Sequence, residues 1–217
     1  MSMNMVNMIV LIVFLVLAYY DVKNSETGGK RTFKPALMPL LALYYATGVL
    51  AGGAGAAAVS VPVILALLCG CAGDTLLLGG EKMFTFGLLA FLAGHILYAA
   101  AYLRDIAGTM IPVWYWAGIA CYAAYAVIVM RRLLPSVDRT MKIPVIAYMS
   151  VLLLMSWLAL LRFGALGGRA VLTWIGSVLF AVSDTILAFQ VFRGRSGKGI
   201  METYVIGQLL IVEGMLL

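Results

Sequence analysis

The chain has 217 residues, of which 64% are hydrophobic and only 11% are charged, and its mean hydropathy is +1.06. A water-soluble domain of this length needs far more charge to cover its surface, so the composition excludes that class of protein. The formal net charge of +6 comes without a basic stripe interleaved with aromatic residues, so it does not indicate nucleic-acid binding.

Apolar stretches close to the ~20 residues needed to cross a bilayer recur along the whole chain, with short joints that carry Gly, Pro and charge. They predict an all-α polytopic membrane protein, a bundle of eight transmembrane helices in a single integral membrane domain over 1–217. The first stretch has neither a basic segment before it nor a small-residue cleavage site after it, so we expect it to remain as the first helix. The predicted helices lie at about 3–20, 35–52, 59–78, 83–102, 111–130, 143–161, 170–192 and 200–217.

Lys and Arg residues are concentrated in the odd-numbered loops, which hold twelve of them. The even loops and both termini hold three, Arg104, Arg162 and Arg169. By the positive-inside rule the odd loops are expected to be cytoplasmic and both termini to lie on the opposite side. We expect an integral protein of a bacterial inner membrane.

Two aspartates interrupt the apolar segments in similar settings, Gly73-Asp74-Thr75 in helix three and Ser183-Asp184-Thr185 in helix seven. An ionisable residue inside a membrane helix is costly, so it is a functional-site hypothesis with a partner to be found. Both aspartates are predicted to lie roughly 8–12 Å below the cytoplasmic boundary, at 1.5 Å per residue. We therefore expect the partner of each to be the other aspartate.

The aspartate motifs are 110 residues apart, and a second pair of similar segments, Thr32–Pro35 and Thr140–Pro144, is offset by 108. Matching offsets favour two four-helix halves related by a parallel repeat. Chance similarity between apolar helices is the alternative.

Other polar residues are predicted at or below the same level and would form a pocket open to the cytoplasmic leaflet. Each also has a plain structural explanation: a membrane-end anchor for Lys34, a structural hydrogen bond for His95, interfacial or packing roles for the tyrosines, and contacts between helices for Gln208. No Cys or His spacing predicts a zinc site or a disulfide, so we expect no cofactor. The candidate lining residues are Lys34, His95, Tyr98, Tyr148, Ser183, Tyr204 and Gln208.

Five motifs in order resemble those of the YhhN-like lysoplasmalogenase family of eight-helix membrane proteins. The resemblance extends from helix two to helix eight, and Gly207 stands where Ala is as frequent. The motifs are Lys34-Pro35-Ala36-Leu37-Met38-Pro39, Gly73-Asp74-Thr75-Leu76-Leu77, Gly94-His95-Ile96-Leu97-Tyr98, Ser183-Asp184-Thr185-Ile186-Leu187-Ala188 and Tyr204-Val205-Ile206-Gly207-Gln208.

The resemblance implies hydrolysis of the vinyl ether bond of lysoplasmalogens, with Asp74 and Asp184 as the catalytic pair. The substrate would then be a lysophospholipid taken from the surrounding membrane lipids. Vinyl ether hydrolysis requires a general acid that protonates the β-carbon and a carboxylate that stabilises the resulting oxocarbenium ion. The two carboxylates of glycosidases act on a similar transition state. Two carboxyl groups close together in a dry site are expected to share one proton.

The alternative is a transporter or proton-coupled carrier that uses the same aspartates as an ion or amine site. Helices broken at mid-membrane would favour it, but most prolines lie near predicted helix starts. A structural scaffold is a third interpretation, and it leaves both aspartates unexplained.

Overall fold

The computed structural model describes residues 5–27, 33–53, 55 and 58–216. Within these ranges the chain forms eight α-helices and no strand, which confirms the all-α prediction. A short 3-10 turn, Leu134–Ser136, joins the fifth helix to the sixth. The helices are α1 (Met5–Thr27), α2 (Lys34–Ala51), α3 (Val61–Leu78), α4 (Glu81–Ile106), α5 (Val113–Leu133), α6 (Arg139–Leu166), α7 (Ala170–Arg193) and α8 (Ile200–Met215).

Each predicted segment coincides with one helix, but α1, α4 and α6 are several residues longer than expected. The longer helices take in charged residues that the sequence assigned to loops, among them Asp21, Arg104, Asp105 and Arg162. The assignment of Arg162 to an even loop was wrong, because this residue is buried inside α6. Residues 3–4 and 217 of the predicted helices, and Thr32 of the first of the two similar segments, lie outside the described residues.

Six of the helices are long and apolar enough to cross a membrane, namely all except α2 and α8. Large apolar side chains also cover the outside of these helices, as in α5, where Trp114, Ile119 and Ile128 are exposed. An α-helix satisfies its own backbone hydrogen bonds, so such a surface is stable against lipid. The chain is an integral membrane protein, and membrane crossing by α2 and α8 stays a prediction.

Local sequence accounts for where several helices begin and end. Pro35 and Pro62 occupy the first turn of α2 and α3, where a missing N–H costs no hydrogen bond. Gly194 ends α7 in the left-handed conformation, with φ of 61°. Its N–H donates to Gln190 O at 3.0 Å, which is the αL capping motif, and the next N–H donates to Phe189 O at 3.3 Å.

The chain divides into two compact units. The described residues up to Ala101, with Leu216, form the first unit, and Tyr102–Met215 forms the second. The boundary lies near the expected division between helices four and five. A parallel repeat and a single domain both stay predictions.

In the first unit, α2 packs against both α1 and α3. The α3–α4 contact is close because it uses glycine: a Cβ at Gly73 would lie 2.6 Å from the Phe91 ring, and one at Gly94 would lie 3.2 Å from the Ala66 carbonyl oxygen. Small residues let membrane helices approach in this way. Asp74 follows Gly73 and His95 follows Gly94, so α3 and α4 are in contact beside both of these residues.

In the second unit, α7 packs against α5, α6 and α8. Gly176 and Gly207 form a close α7–α8 approach, since a Cβ at Gly207 would lie 2.9 Å from the Gly176 carbonyl oxygen. At one end of the unit an apolar cluster fixes the turn between α5 and α6 against α7. It contains Leu133, Val137 and Val145, with Ala188, Phe189 and Phe192 packed against them.

Candidate active site

Lys34 and Asp74 form a buried ion pair in the first unit. The Lys34 Nζ lies 2.9 Å from Asp74 Oδ1, and only 8% and 1% of the two side chains are exposed. Lys34 is the first residue of α2, and Asp74 lies in the last turns of α3. At this burial the charges are strongly coupled, because little water screens them. The observed partner of Asp74 within its own unit is therefore a lysine.

The backbone around this pair is held by two further hydrogen bonds. Cys71 Sγ donates to the Pro35 carbonyl oxygen at 3.1 Å, which joins α3 to the residue next to Lys34. Thr75 Oγ1 donates to the Cys71 carbonyl oxygen at 2.8 Å, within the same helix. The first bond keeps the start of α2 in register with the turn of α3 that carries Asp74.

His95 and Tyr98 are both fully buried in α4. They lie three residues apart, so they share one face of the helix. Gly94, beside His95, packs on the α3 backbone. Burial of both side chains fits either a pocket lining or a structural hydrogen bond, so their predicted role stays a prediction.

Asp184 is half-buried in α7 and is bound by a tyrosine of α6. The Tyr148 hydroxyl donates to Asp184 Oδ2. A phenol that donates to a carboxyl group fixes its orientation and stabilises negative charge on it. Tyr148, predicted as a lining residue, is thus in direct contact with the predicted catalytic aspartate.

Thr185, next to Asp184, ties the same turn to α5. Its hydroxyl donates to the Ala181 carbonyl oxygen at 2.8 Å, so it accepts from the Tyr125 hydroxyl, 2.7 Å away. Thr75 makes the same bond to the carbonyl four residues before it, so the two Asp-Thr motifs share this local feature. Three helices, α5, α6 and α7, therefore hold the segment that carries Asp184.

The remaining predicted lining residues lie between α7 and α8. Ser183 Oγ donates to the Ile200 carbonyl oxygen at 2.9 Å, which attaches α7 to the first residue of α8. Tyr204 is buried with its ring edge-on to Phe180 at 5.3 Å between centroids. Gln208, one turn after Tyr204, is also buried.

Sequence reasoning missed a cluster around Arg162. The Arg162 side chain is 1% exposed, and its Nε donates to Asp105 Oδ2 at 2.8 Å. Its Nη1 donates to Thr173 Oγ1 at 3.1 Å and to the Gly214 carbonyl oxygen at 2.9 Å. One guanidinium thus joins α4, α6, α7 and α8. The sequence signal that could have indicated this cluster is an arginine that directly follows a long apolar segment.

Two other buried polar features were also missed. Asp21 is fully buried in α1. In the second unit, Trp174 Nε1 donates to the Tyr122 hydroxyl at 3.0 Å, and that hydroxyl contacts Ser156 Oγ at 2.9 Å. A helix that continues through Asp21 was not expected, because the first helix was predicted to end at about residue 20.

The structure therefore gives each aspartate motif its own polar partner, Lys34 for Asp74 and Tyr148 for Asp184. The two aspartates belong to different units, and their approach to each other stays a prediction. Among the described residues, no group of three or more His, Cys, Asp or Glu side chains could hold a metal ion.

Comparison with known proteins gives consistent results. The chain is 32% identical over 153 residues to "Lysoplasmalogenase TMEM86B" of Homo sapiens, which covers 67% of this chain and 59% of that protein. It is 31% identical over 151 residues to the Mus musculus protein of the same name, covering 68% and 60%. The chain thus spans about three fifths of the length of these relatives. No solved structure matches it. The model of the YhhN family matches residues 29–215, and the chain belongs to that family.

Proposed function

We propose that this protein is a membrane-embedded hydrolase that cleaves the vinyl ether bond of lysoplasmalogens. The products are a fatty aldehyde and glycerophospho-ethanolamine or -choline. Relatives named lysoplasmalogenase support the substrate class. The observation that carries the proposal is that each aspartate of the two similar motifs is held by a polar partner, Asp74 by Lys34 and Asp184 by Tyr148.

The reaction consumes one water. A general acid protonates the β-carbon of the vinyl ether, and the resulting oxocarbenium ion captures water as a second group removes the water's proton. The hemiacetal formed then loses the glycerol oxygen, which takes up a proton, and the aldehyde leaves with its new C–H bond. Two carboxyl groups can perform these steps, as they do in glycosidases, where the transition state has the same character.

Asp74 fits the role of the carboxylate that stabilises the oxocarbenium ion and orients the water. Its charge is balanced by Lys34 at 2.9 Å, so a buried anion is maintained without a bound substrate. Lys34 then acts as a positioning residue for Asp74. Binding of the lipid phosphate by Lys34, the role expected from sequence, is the alternative.

Asp184 fits the role of the proton donor. The Tyr148 hydroxyl occupies Oδ2, so a transferable proton belongs on Oδ1. Donation to Oδ2 stabilises the carboxylate left after proton transfer, so this hydrogen bond favours the transition state in which the proton leaves. Tyr148 thereby helps the chemical step more than it helps binding.

The lysolipid would enter from the leaflet on the side of the odd-numbered loops, which we propose to be the cytoplasmic side of a bacterial inner membrane. Its chain would lie among the apolar helices and its headgroup at the membrane surface. His95, Tyr98, Ser183, Tyr204 and Gln208 are proposed to line or support this path.

The test offers the purified protein in detergent a lysoplasmalogen and its saturated ether analogue and measures aldehyde. Release from the vinyl ether alone is expected, because only that substrate can form an oxocarbenium ion by protonation. The replacements Asp74→Asn and Asp184→Asn should each lower kcat by about 10²–10⁴-fold, the usual contribution of general acid–base catalysis.

Asp138→Asn is the matched control. Asp138 precedes α6, is exposed and makes no capping hydrogen bond through its side chain, so its loss should leave turnover unchanged. Turnover near that of the wild type in either Asp74→Asn or Asp184→Asn would disprove the assigned chemistry. Uptake of a solute into liposomes without aldehyde release would instead indicate a carrier.

A further inference from the structure

One end of the second unit is strongly basic. The segment 131–142, which includes the end of α5 and the start of α6, carries four Lys or Arg residues, and the segment 193–198, which begins at the last residue of α7, carries three more. Arg193 Nη1 donates to the Arg132 carbonyl oxygen at 3.0 Å, so the two segments meet at the same end of the unit. The only carboxylates in these segments and the first turn of α8 are Asp138 and Glu202. The positive charge here is therefore mostly uncompensated.

A shallow cleft of about 470 Å³, which is mostly open on its outer side, lies at this end. Four apolar residues and two cations line it, and none of the lining residues is acidic. Its volume falls within the range of small-molecule sites in proteins, about 300–1,000 Å³. The lining residues are Val127, Met130, Leu134, Pro135, Arg131 and Lys142.

A buried apolar cluster next to the cleft fixes the residues that line it. Leu133, beside Leu134, packs with Val137 and Val145 in the apolar cluster that anchors the turn on α7. Arg131 and Lys142 therefore project from a fixed turn and not from a mobile loop. A pre-formed site binds more tightly than one that must be ordered by its ligand.

The combination of two cations and an apolar wall in this cleft indicates the chemical class of its ligand. Arg131 can contact two phosphate oxygens through its planar guanidinium, while Lys142 supplies a point charge. Phosphate alone would not require the apolar part of the cleft. That part continues onto the exposed apolar surface of α5 at Val127 and Ile128, which is the kind of surface that lipid chains cover in a membrane. A ligand with a phosphate next to an acyl chain meets both requirements.

We propose that this cleft binds one anionic phospholipid of the surrounding leaflet, with its phosphate between Arg131 and Lys142 and its upper acyl chain along Val127 and Met130. Basic pockets at the cytoplasmic ends of membrane helices bind lipid headgroups in this manner. None of the residues that line the cleft is one of the proposed hydrolytic residues. Its occupant is a bound membrane lipid and not the substrate.

The experiment measures lipid binding to the purified full chain in neutral detergent, by native mass spectrometry and by the lipid-induced rise in Tm. The probes are phosphatidylglycerol, phosphatidylcholine and soluble glycerol phosphate. Phosphatidylglycerol should bind most tightly, and added salt should weaken it. The double variant R131Q/K142Q should bind it roughly thirtyfold more weakly, from about one kcal/mol per cation near an anionic lipid surface.

The matched control is R132Q/R139Q, which removes the same charge from the same turn at two exposed residues that do not line the cleft. It should retain binding within about threefold, the effect expected of screened surface charge. Equal losses in the two double variants would show diffuse surface attraction and overturn the proposal. If glycerol phosphate and phosphatidylglycerol bound equally well, the occupant would not be a lipid and the proposal would be wrong. The proposal would also be wrong if the wild-type protein bound neither of them. Aldehyde release in phosphatidylcholine micelles tests the hydrolase separately.

Discussion

Replacing Arg162 by methionine should destabilise the protein far more than the same replacement at Arg169. Both arginines contact a carboxylate at nearly the same distance, 2.8 Å to Asp105 and 2.7 Å to Glu213. They differ in burial, since 1% of the Arg162 side chain is exposed and 46% of the Arg169 side chain. The pair therefore compares a buried arginine, which also donates to Thr173 and Gly214, with a half-exposed arginine in a similar ion pair.

Loss of Arg162 leaves Asp105, the Thr173 hydroxyl and the Gly214 carbonyl oxygen without their donor. Breaking a buried pair costs about 3–5 kcal/mol. The Asp105 side chain is 19% exposed, which allows some hydration. We therefore expect about 3 kcal/mol, or a fall in Tm of about 6–12 °C for a chain of this size. Arg169→Met should cost at most about 1 kcal/mol.

Thermal unfolding of the two variants in one detergent measures the difference. Adding Asp105→Asn to Arg162→Met should restore at least half of the lost Tm, because it removes the uncompensated charge. Equal destabilisation by Arg162→Met and Arg169→Met would refute the reasoning, since it would mean that burial does not determine the strength of these contacts.

Two further predictions concern the second unit. Gly207→Ala should lower the free energy of unfolding by about 1–3 kcal/mol, because its Cβ would lie 2.9 Å from the Gly176 backbone oxygen. Gly118→Ala is its control and should be nearly neutral in thermal unfolding, since its Cβ would meet only the flexible end of a leucine side chain. Tyr148→Phe should lower kcat for aldehyde release about tenfold and leave KM nearly unchanged, because it removes one hydrogen bond to Asp184. A rise in KM at constant kcat would show that Tyr148 acts in binding instead.

The helices could be predicted because each is a continuous apolar run between Gly, Pro or charge. Their ends were harder to predict where a charged residue continues the helix. Asp21 and Arg162 looked like boundary residues, yet both are buried inside helices. For Arg162, the carboxylate, hydroxyl and carbonyl that compensate its charge come from three other helices. Such compensation is invisible to local sequence patterns.

The candidate site shows the same limit. Matching sequence settings selected Asp74 and Asp184, but they did not reveal that Lys34 reaches the first and Tyr148 the second. The similar Lys-Pro segments also differ in the structure. Pro35 occupies the first turn of α2, whereas Pro144 lies inside α6, which begins at Arg139. The short motifs therefore did not predict the contacts that each aspartate makes.

The Lys34–Asp74 pair allows stability to be separated from function. A buried ion pair contributes little beyond what a well-packed apolar pair of similar volume would contribute, because desolvation offsets the attraction. The double variant Lys34→Met/Asp74→Leu should therefore unfold within about 1 kcal/mol of the wild type, whereas Lys34→Met alone should cost about 3–5 kcal/mol. The double variant should nevertheless release no aldehyde, because the carboxylate is gone. Thermal unfolding and the aldehyde assay on the same samples measure both properties. A double variant that is as unstable as Lys34→Met would mean that the pair is needed for folding, and its charge would then not require a catalytic explanation.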